Sequence, residues 1–227
     1  DKNIEQTGIP AKAAKILNDA GIEVVVFNEV ISDPPVDIVD KGGELAKREG
    51  IDCLIGIGGG SSMDTAKAIS ILLTMPGTAS DYILAKPIYI NTTTPVILIP
   101  TTAGTGSEVT KVAIISRPEI NAKWSAFVNT TYAIVDPELT LSLPKDITAN
   151  TGLDALSHAI EGMTTTMWGP HSDLFGESAI RKISKYLVTA YNEPDNKEAR
   201  TEMMLAANFA GLAFNDPITH VGHAAAD

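Results

Sequence analysis

Asp154 and His158 are the residues whose types and spacing most directly suggest chemistry. In a helix, a separation of four residues places both side chains on one face, one turn apart. Ala155, Leu156 and Ser157 lie between them, so we expect the helix to be buried. A buried carboxylate and imidazole are costly unless something pairs them, and one divalent metal ion would pair both. The alternative is an Asp–His hydrogen bond inside a core helix.

A glycine-rich turn, Gly58-Gly-Gly-Ser61, is a candidate site for a phosphate group. It follows an apolar segment that ends at Ile57 and precedes a helix predicted from Ser62. Glycines allow the backbone to approach an anion closely, and the helix N-terminus supplies free N–H groups and partial positive charge. The turn departs from the G-x-G-x-x-G fingerprint because Ser61 occupies the position of the third glycine. A tight strand-to-helix turn without a ligand is the alternative.

A second loop rich in small and hydroxyl side chains, residues 101–107, follows the next apolar segment, residues 94–100. In an open parallel sheet, ligands bind beyond the carboxyl ends of the strands. The two loops could therefore share one nucleotide. The alternative is that Thr101 and Thr102 only cap the end of a strand.

The elements that position these loops divide the chain into two domains of different class. Strands and helices alternate in the first domain, with strands predicted at 23–27, 52–57, 94–100 and 132–135 and helices at 10–20, 36–49 and 62–73. This alternation indicates parallel pairing, with an added antiparallel hairpin at 109–116 and 124–128. Long amphipathic helices follow at 145–164, 172–191, 195–213 and from 217. We therefore predict an α/β domain over residues 1–145 and an all-α domain over residues 146–227.

The composition excludes several classes of protein. Seventeen basic and 28 acidic residues give a net charge of −11, which argues against nucleic acid as a partner because phosphate binding requires a basic surface. No run of 18 apolar residues is present, so we expect no membrane-spanning segment. Cys53 is the only cysteine, which excludes an internal disulfide and favours a reducing, cytoplasmic compartment. The chain starts at Asp1 rather than at a methionine, and we expect the natural protein to extend beyond both ends.

The longer motifs together resemble the iron-containing (group III) alcohol dehydrogenase family. The resemblance covers essentially the whole chain, and the matching runs are Ile57-Gly-Gly-Gly-Ser-Ser-Met-Asp-Thr-Ala-Lys67, Ile99-Pro-Thr-Thr-Ala-Gly-Thr-Gly-Ser-Glu-Val-Thr110, Asp136-Pro-Glu, Thr151-Gly-Leu-Asp-Ala-Leu-Ser-His-Ala-Ile-Glu161 and Ala210-Gly-Leu-Ala-Phe214. It implies a dehydroquinate synthase-like architecture, in which a dinucleotide-binding domain precedes a helical domain and the site lies between them. It also implies a metal-dependent NAD(H) alcohol dehydrogenase, in a homodimer or larger homo-oligomer, that acts on a small primary or secondary alcohol and its aldehyde or ketone.

The resemblance also implies which residues bind the nucleotide. The matching positions are Gly58, Gly59, Gly60 and Ser61 for the pyrophosphate, with Thr101, Thr102, Thr110, Val112 and Lys123 as further contacts. Asp1 matches the acidic residue that meets the ribose hydroxyls in members that use NAD. Because a carboxylate would repel a 2′-phosphate, NAD rather than NADP is the expected cofactor.

Asp154 and His158 match two of the family's metal ligands. The implied metal is Fe2+, with Zn2+ and Mn2+ as alternatives. The run His223-Ala-Ala-Ala-Asp227 matches a family run that ends in histidine, so Asp227 departs from the pattern. We expect Asp227 to be a metal ligand and His223 to lie near the substrate and the nicotinamide. Glu161, one turn beyond His158, is a candidate hydrogen-bond partner of a ligand.

The departure at Asp227 leaves alternatives open. One is a metal-independent NAD(P)H reductase of the same superfamily, and another is a lyase related to dehydroquinate synthase. A third, from a different class, is a nucleotide-binding protein without catalysis that assembles into an oligomer. The presence of both Asp154 and His158 argues against this last alternative.

Overall fold

The computed structural model describes residues 1–226, and these form two compact units. The first unit contains residues 1–98 and 112–131, and the second contains residues 99–111 and those from Tyr132 onward. These bounds differ from the predicted division at residue 145, because the loop that follows the third strand packs within the helical unit. In that unit, the Asn208 amide donates a hydrogen bond to the Glu108 carboxylate at 2.9 Å.

The first unit is built of alternating helices and strands. Its helices are α1 (Lys2–Gln6), α2 (Ile9–Asp19), α3 (Val36–Arg48) and α4 (Gly60–Thr74). Its strands are β1 (Leu54–Gly58), β2 (Tyr89–Ile90), the first part of β3 (Val96–Pro100), β4 (Val112–Arg117) and β5 (Ala122–Val128). The helices and strands predicted around the glycine turn are therefore confirmed.

The strands of this unit belong to two small sheets. In one sheet β1 lies beside β3. In the other, β5 pairs in parallel with β2 and antiparallel with β4, with Val112 opposite Phe127 and Arg117 opposite Ala122. The predicted hairpin is thus confirmed, and Asn121 adopts a left-handed conformation (φ +49°) at its turn.

Helix α4 is buried in the centre of this unit. Its residues from Ser62 to Leu72 are all buried, including the charged side chains of Asp64 and Lys67. Helix α3 approaches it closely, since a Cβ atom added at Gly42 would lie 2.4 Å from Ile69 Cδ1. This packing fixes α4, and therefore the glycine turn at its start.

The strand predicted at residues 23–27 is wrong. The segment has no strand or bridge assignment, and Val25 and Val26 are 43% and 56% exposed. An apolar run becomes a strand only when a neighbouring strand satisfies its N–H and C=O groups. No strand among residues 1–226 pairs with this segment.

The second unit is largely helical. Its regular elements are β6 (Tyr132–Ala133), a 3-10 helix (Pro137–Thr140), α5 (Lys145–Thr164), α6 (Pro170–Asn192), α7 (Lys197–Phe214) and α8 (Val221–Ala226). The predicted long helices are confirmed. Small residues such as Ala155, Ala159, Ala206 and Ala210 are fully buried, which allows α5, α6 and α7 to pack closely. None of the helices within residues 1–226 is long and apolar enough to cross a membrane.

Candidate nucleotide loop and metal centre

The glycine turn between β1 and α4 has the geometry of an anion-binding loop. Gly58 adopts φ +147°, and a Cβ atom there would lie 2.7 Å from Ser62 Oγ, so a larger residue would be strained as well as crowded. Gly59 is the N-cap of α4 and forms no side-chain cap hydrogen bond. The N-terminus of a 15-residue helix therefore faces its preceding loop without a capping side chain.

Asp1 lies beside this turn, in the same unit. One oxygen of its carboxylate caps α1 by accepting hydrogen bonds from the backbone N–H groups of Asn3 and Ile4, at 2.8 and 3.0 Å. The other accepts a hydrogen bond from Ser62 Oγ at 3.3 Å. The structure therefore brings the predicted ribose-binding acid to the predicted phosphate turn.

Val112 and Lys123 lie on the hairpin of the same unit but not next to each other. Lys123 is opposite Ser116, four residues along β4 from Val112, a separation of about 13 Å at the usual rise per residue. The Val112 carbonyl accepts a hydrogen bond from Lys67 Nζ at 2.7 Å, and Lys123 Nζ lies 3.0 Å from Asp33. Both residues predicted to contact the nucleotide therefore also form bonds within the protein, Val112 with Lys67 and Lys123 with Asp33.

The other predicted nucleotide contacts, Thr101, Thr102 and Thr110, belong to the second unit. Thr101 and Thr110 are buried, and Thr102 is half-buried. The loop that carries them lies directly against α7, because a Cβ atom at Gly106 would be 2.6 Å from Gly211 Cα. This close approach needs glycine at both positions.

Three of the candidate functional side chains lie close together in the second unit. Asp154 and His158 lie on α5 and His223 lies on α8, and one ligand atom from each lies within 4.8 Å of the others. His158 Nδ1 is 3.8 Å from Asp154 Oδ2, and His223 Nε2 is 3.4 Å from Asp154 Oδ1. A carboxylate and two imidazoles are a typical ligand set for a divalent transition metal.

His158 has the properties of a ligand rather than of a paired core residue. Its ring is 7% exposed and stacks on Phe214 at 4.2 Å, and its buried Nδ1 has no hydrogen-bond partner. Burial lowers the pKa of His158 to about 4, although Asp154 acts in the opposite direction. The imidazole is therefore neutral near pH 7 and has a lone pair available, which metal binding requires.

His223 is held between two carboxylates. Its Nδ1 lies 2.8 Å from Glu161 Oε1, and its Nε2 faces Asp154. The hydrogen bond with Asp154 raises the pKa of His223 to about 8, against the effect of burial and with support from Glu161. His220 lies nearby but is bonded through Nε2 to Thr164 Oγ1 at 3.0 Å.

The convergence changes the interpretation of His223. The family resemblance implies a position for it near the substrate and the nicotinamide, whereas the structure groups it with Asp154 and His158 as a candidate ligand. Asp227, the other predicted ligand, lies outside the described residues. The sequence signal for His223 was weak because its position depends on how α8 folds back onto α5.

Comparison with protein families gives two matches that together cover most of the chain. Residues 1–137 match the family described as "Iron-containing alcohol dehydrogenase". Residues 148–226 match "Fe-containing alcohol dehydrogenase family, C-terminal". The chain belongs to the iron-containing alcohol dehydrogenase family. The family named from the sequence motifs is therefore confirmed.

Two characterised relatives illustrate the range of this family. The chain is 42% identical over 230 residues to a choline dehydrogenase of Bacillus subtilis (strain 168), with 99% of the chain covered. It is 39% identical over 223 residues to an NAD-dependent methanol dehydrogenase of Bacillus methanolicus, with 95% covered. The chain spans 57% of the length of each relative.

Solved structures of iron-containing alcohol dehydrogenases and related enzymes have the same fold. A sulfoacetaldehyde reductase from Bifidobacterium kashiwanohense in complex with NAD+ has a TM-score of 0.87 at 38% identity, covering 96% of this chain and 60% of that one. An archaeal alcohol dehydrogenase from a Red Sea brine pool, ADH/D1, has a TM-score of 0.92 at 34% identity, covering 99% of this chain and 59% of that one. The expected fold class, an α/β part followed by a helical part, is confirmed.

Proposed function

We propose that the protein is a metal-dependent NAD(H) alcohol dehydrogenase. It would interconvert a small primary or secondary alcohol and the corresponding aldehyde or ketone by hydride transfer. The observation that carries this proposal is the convergence of Asp154, His158 and His223. One ligand atom from each of these residues lies within 4.8 Å of the others, in a chain that belongs to this family. Because the chain spans 57% of its relatives, the activity is proposed for the whole protein.

NAD is the proposed nucleotide. Its pyrophosphate would lie at the glycine turn, against the start of α4, whose N-terminus has no capping side chain. The Asp1 carboxylate beside this turn favours ribose hydroxyls over a 2′-phosphate. The proposal is supported by one relative that is described as NAD-dependent and another that was solved with NAD+.

The ligand set fits a divalent metal. Asp154 supplies negative charge, and His158 supplies a buried neutral imidazole whose Nδ1 has no other partner. The family's name favours Fe2+, and the same donors also suit Zn2+ and Mn2+. When bound, the metal supplies a Lewis acid that makes an alcohol O–H far easier to deprotonate.

The chain's own residues would position the reactants. Asp154, His158 and His223 would hold the cation, and the burial of His158 limits the access of water to that ligand. The turn at Gly58 and the acid at Asp1 would hold the nucleotide, whose nicotinamide carries out the hydride chemistry. We propose His223 as a metal ligand rather than as a substrate contact, and Asp227 stays a predicted ligand.

We further propose a cytoplasmic homo-oligomer whose partner is a small alcohol or aldehyde. A net charge of −11 supports the exclusion of nucleic acid. The metal-independent reductase is the second candidate, and the aspartate at position 227 is the observation that favours it. The neutral imidazole of His158, whose buried Nδ1 has no hydrogen-bond partner, supports the metal-dependent enzyme over this alternative.

The two candidates are separated by metal removal. Full-length protein would be purified without oxygen, analysed for metal, and assayed for NADH formation from simple alcohols before and after chelation. The proposal expects activity that disappears with the metal and returns when Fe2+ or Zn2+ is added. Equal activity in fully chelated protein would contradict it and favour the metal-independent reductase.

A further inference from the structure

Glu161 is a buried carboxylate around which the start of α8 is folded. Its side chain is only 5% exposed, yet three donors reach its two oxygens. The His220 backbone N–H donates to Oε2 at 2.5 Å, Ser157 Oγ donates to Oε1 at 3.1 Å, and His223 Nδ1 lies 2.8 Å from Oε1. Both ends of the segment from His220 to His223 are therefore bonded to one side chain of α5.

The segment lies so close to Glu161 that it needs a glycine. A Cβ atom at Gly222 would lie 2.4 Å from Glu161 Oε1, well inside van der Waals contact. Gly222 has no left-handed φ, so the requirement comes from this approach and not from backbone conformation. Because Gly222 has no side chain, the backbone N–H of His220 and the imidazole of His223 can both reach the Glu161 carboxylate.

Glu161 also shares a helix face with the candidate ligands. Asp154, His158 and Glu161 occupy positions i, i+4 and i+7 of α5, which lie on one side of a helix. His223 lies between Glu161 and Asp154, with one ring nitrogen directed at each. A single helix face therefore carries two candidate ligands and the group that orients a third.

We infer that Glu161 is a positioning residue that holds His223 ready to bind the metal, an inference that rests on the proposed metal-dependent function. A carboxylate at Nδ1 keeps the proton on that nitrogen, so the proton that Nε2 shares with Asp154 is the one that a bound cation would displace. Nε2 is the nitrogen that faces Asp154. Glu161 is not among the three residues whose ligand atoms converge, and it would act on the cation through His223.

The contacts of Glu161 are consistent with this role. The His220 N–H, Ser157 Oγ and His223 Nδ1 converge on its two oxygens, which suits a carboxylate because that group only accepts hydrogen bonds. A glutamine in its place would carry one acceptor and one donor. It would therefore turn an N–H toward one of the three donors that now converge on the carboxylate.

The test is the affinity of full-length protein for Co2+ alone, measured with a competing chelator and by the visible spectrum of the bound ion. Glu161→Gln should weaken Co2+ binding about 10- to 100-fold and change the spectrum, as loss of a ligand's hydrogen-bond partner does. Asp146→Asn is the matched control, since it removes an exposed carboxylate from the first turn of the same helix. The control should bind Co2+ like the unmodified protein.

A double variant separates positioning of His223 from general support of the fold. In a His223→Ala background, Glu161→Gln should change Co2+ affinity less than about twofold, because its route to the metal is gone. An equal loss in both backgrounds would overturn the inference. If Glu161→Gln fails to fold, Gly222→Ala gives the same test, because its Cβ displaces the carboxylate without removing the charge.

The outcomes also distinguish this inference from the proposed function. If unmodified protein and Glu161→Gln bind Co2+ with equal affinity and equal spectra, the inference fails while the metal-dependent function stands. If unmodified protein binds no Co2+, both fail. If Glu161→Gln weakens Co2+ binding when His223 is present but not in the His223→Ala background, the result supports both the inference and the proposed function.

Discussion

The rings of His158 and His223 stack at a centroid distance of 4.3 Å, with their planes inclined by 15°. Two charged imidazoles at this distance would repel by roughly 4 kcal/mol at an effective dielectric constant of about 20. The repulsion is avoided because burial keeps His158 neutral while His223 is bonded to Asp154 and Glu161. The pair is compact enough for one cation to be shared with Asp154.

Gly58→Ala is expected to weaken NAD binding. The new Cβ would be strained by the φ of +147° and would lie 2.7 Å from Ser62 Oγ, which itself bonds to Asp1. Isothermal titration with NAD should show at least a tenfold loss of affinity. Gly169→Ala, where the Cβ meets nothing within 4 Å, is the control and should bind NAD normally. Unchanged affinity in Gly58→Ala would contradict a phosphate site at this turn.

Lys67→Met is expected to destabilise the first unit. Lys67 is fully buried, with Nζ 3.4 Å from Asp64 Oδ1 and 2.7 Å from the Val112 carbonyl. Removing the amine leaves the nearly buried Asp64 without its cation, at a cost of about 3 kcal/mol. Urea denaturation measures this change in the free energy of unfolding. Lys15→Met removes an exposed ion pair with Asp19 on α2 and should change stability little.

Gly211→Ala is expected to loosen the loop at residues 101–111 from α7. The added Cβ would lie 2.9 Å from the Gly106 carbonyl oxygen and 2.9 Å from Val109 Cγ2. Both neighbours are held within a tightly packed loop, so the loop must move. We expect a lower melting temperature and faster cleavage by protease within residues 101–111. Resistance equal to that of the unmodified protein would show that the loop tolerates the methyl group.

Helical periodicity explains which parts of the site were predictable. Asp154 and His158 lie four residues apart on one helix, so local spacing alone brought them together. His223 could not be placed in this way, because its position depends on the contacts of α8 with Glu161 and on the missing side chain at Gly222. These are long-range contacts that no local pattern reveals.

The same distinction between local and distant contacts applies to the fold. The long helices α5, α6 and α7 were predicted because each carries its own pattern. The strand expected at residues 23–27 was wrong because apolar composition does not show whether a neighbouring strand is present. The division at residue 145 missed the loop at 101–111, which joins the helical unit through the contact of Gly106 with Gly211.

The central claim is that Asp154, His158 and His223 together hold one divalent metal, and X-ray absorption at the metal edge tests it most directly. Unmodified full-length protein loaded with Zn2+ should show scattering from at least two imidazoles, with Zn–N distances of about 2.0–2.1 Å. His158→Ala and His223→Ala should each lose one imidazole, whereas His220→Ala, whose ring bonds to Thr164, should lose none. A spectrum without imidazole scattering, or one left unchanged by both ligand substitutions, would contradict the account.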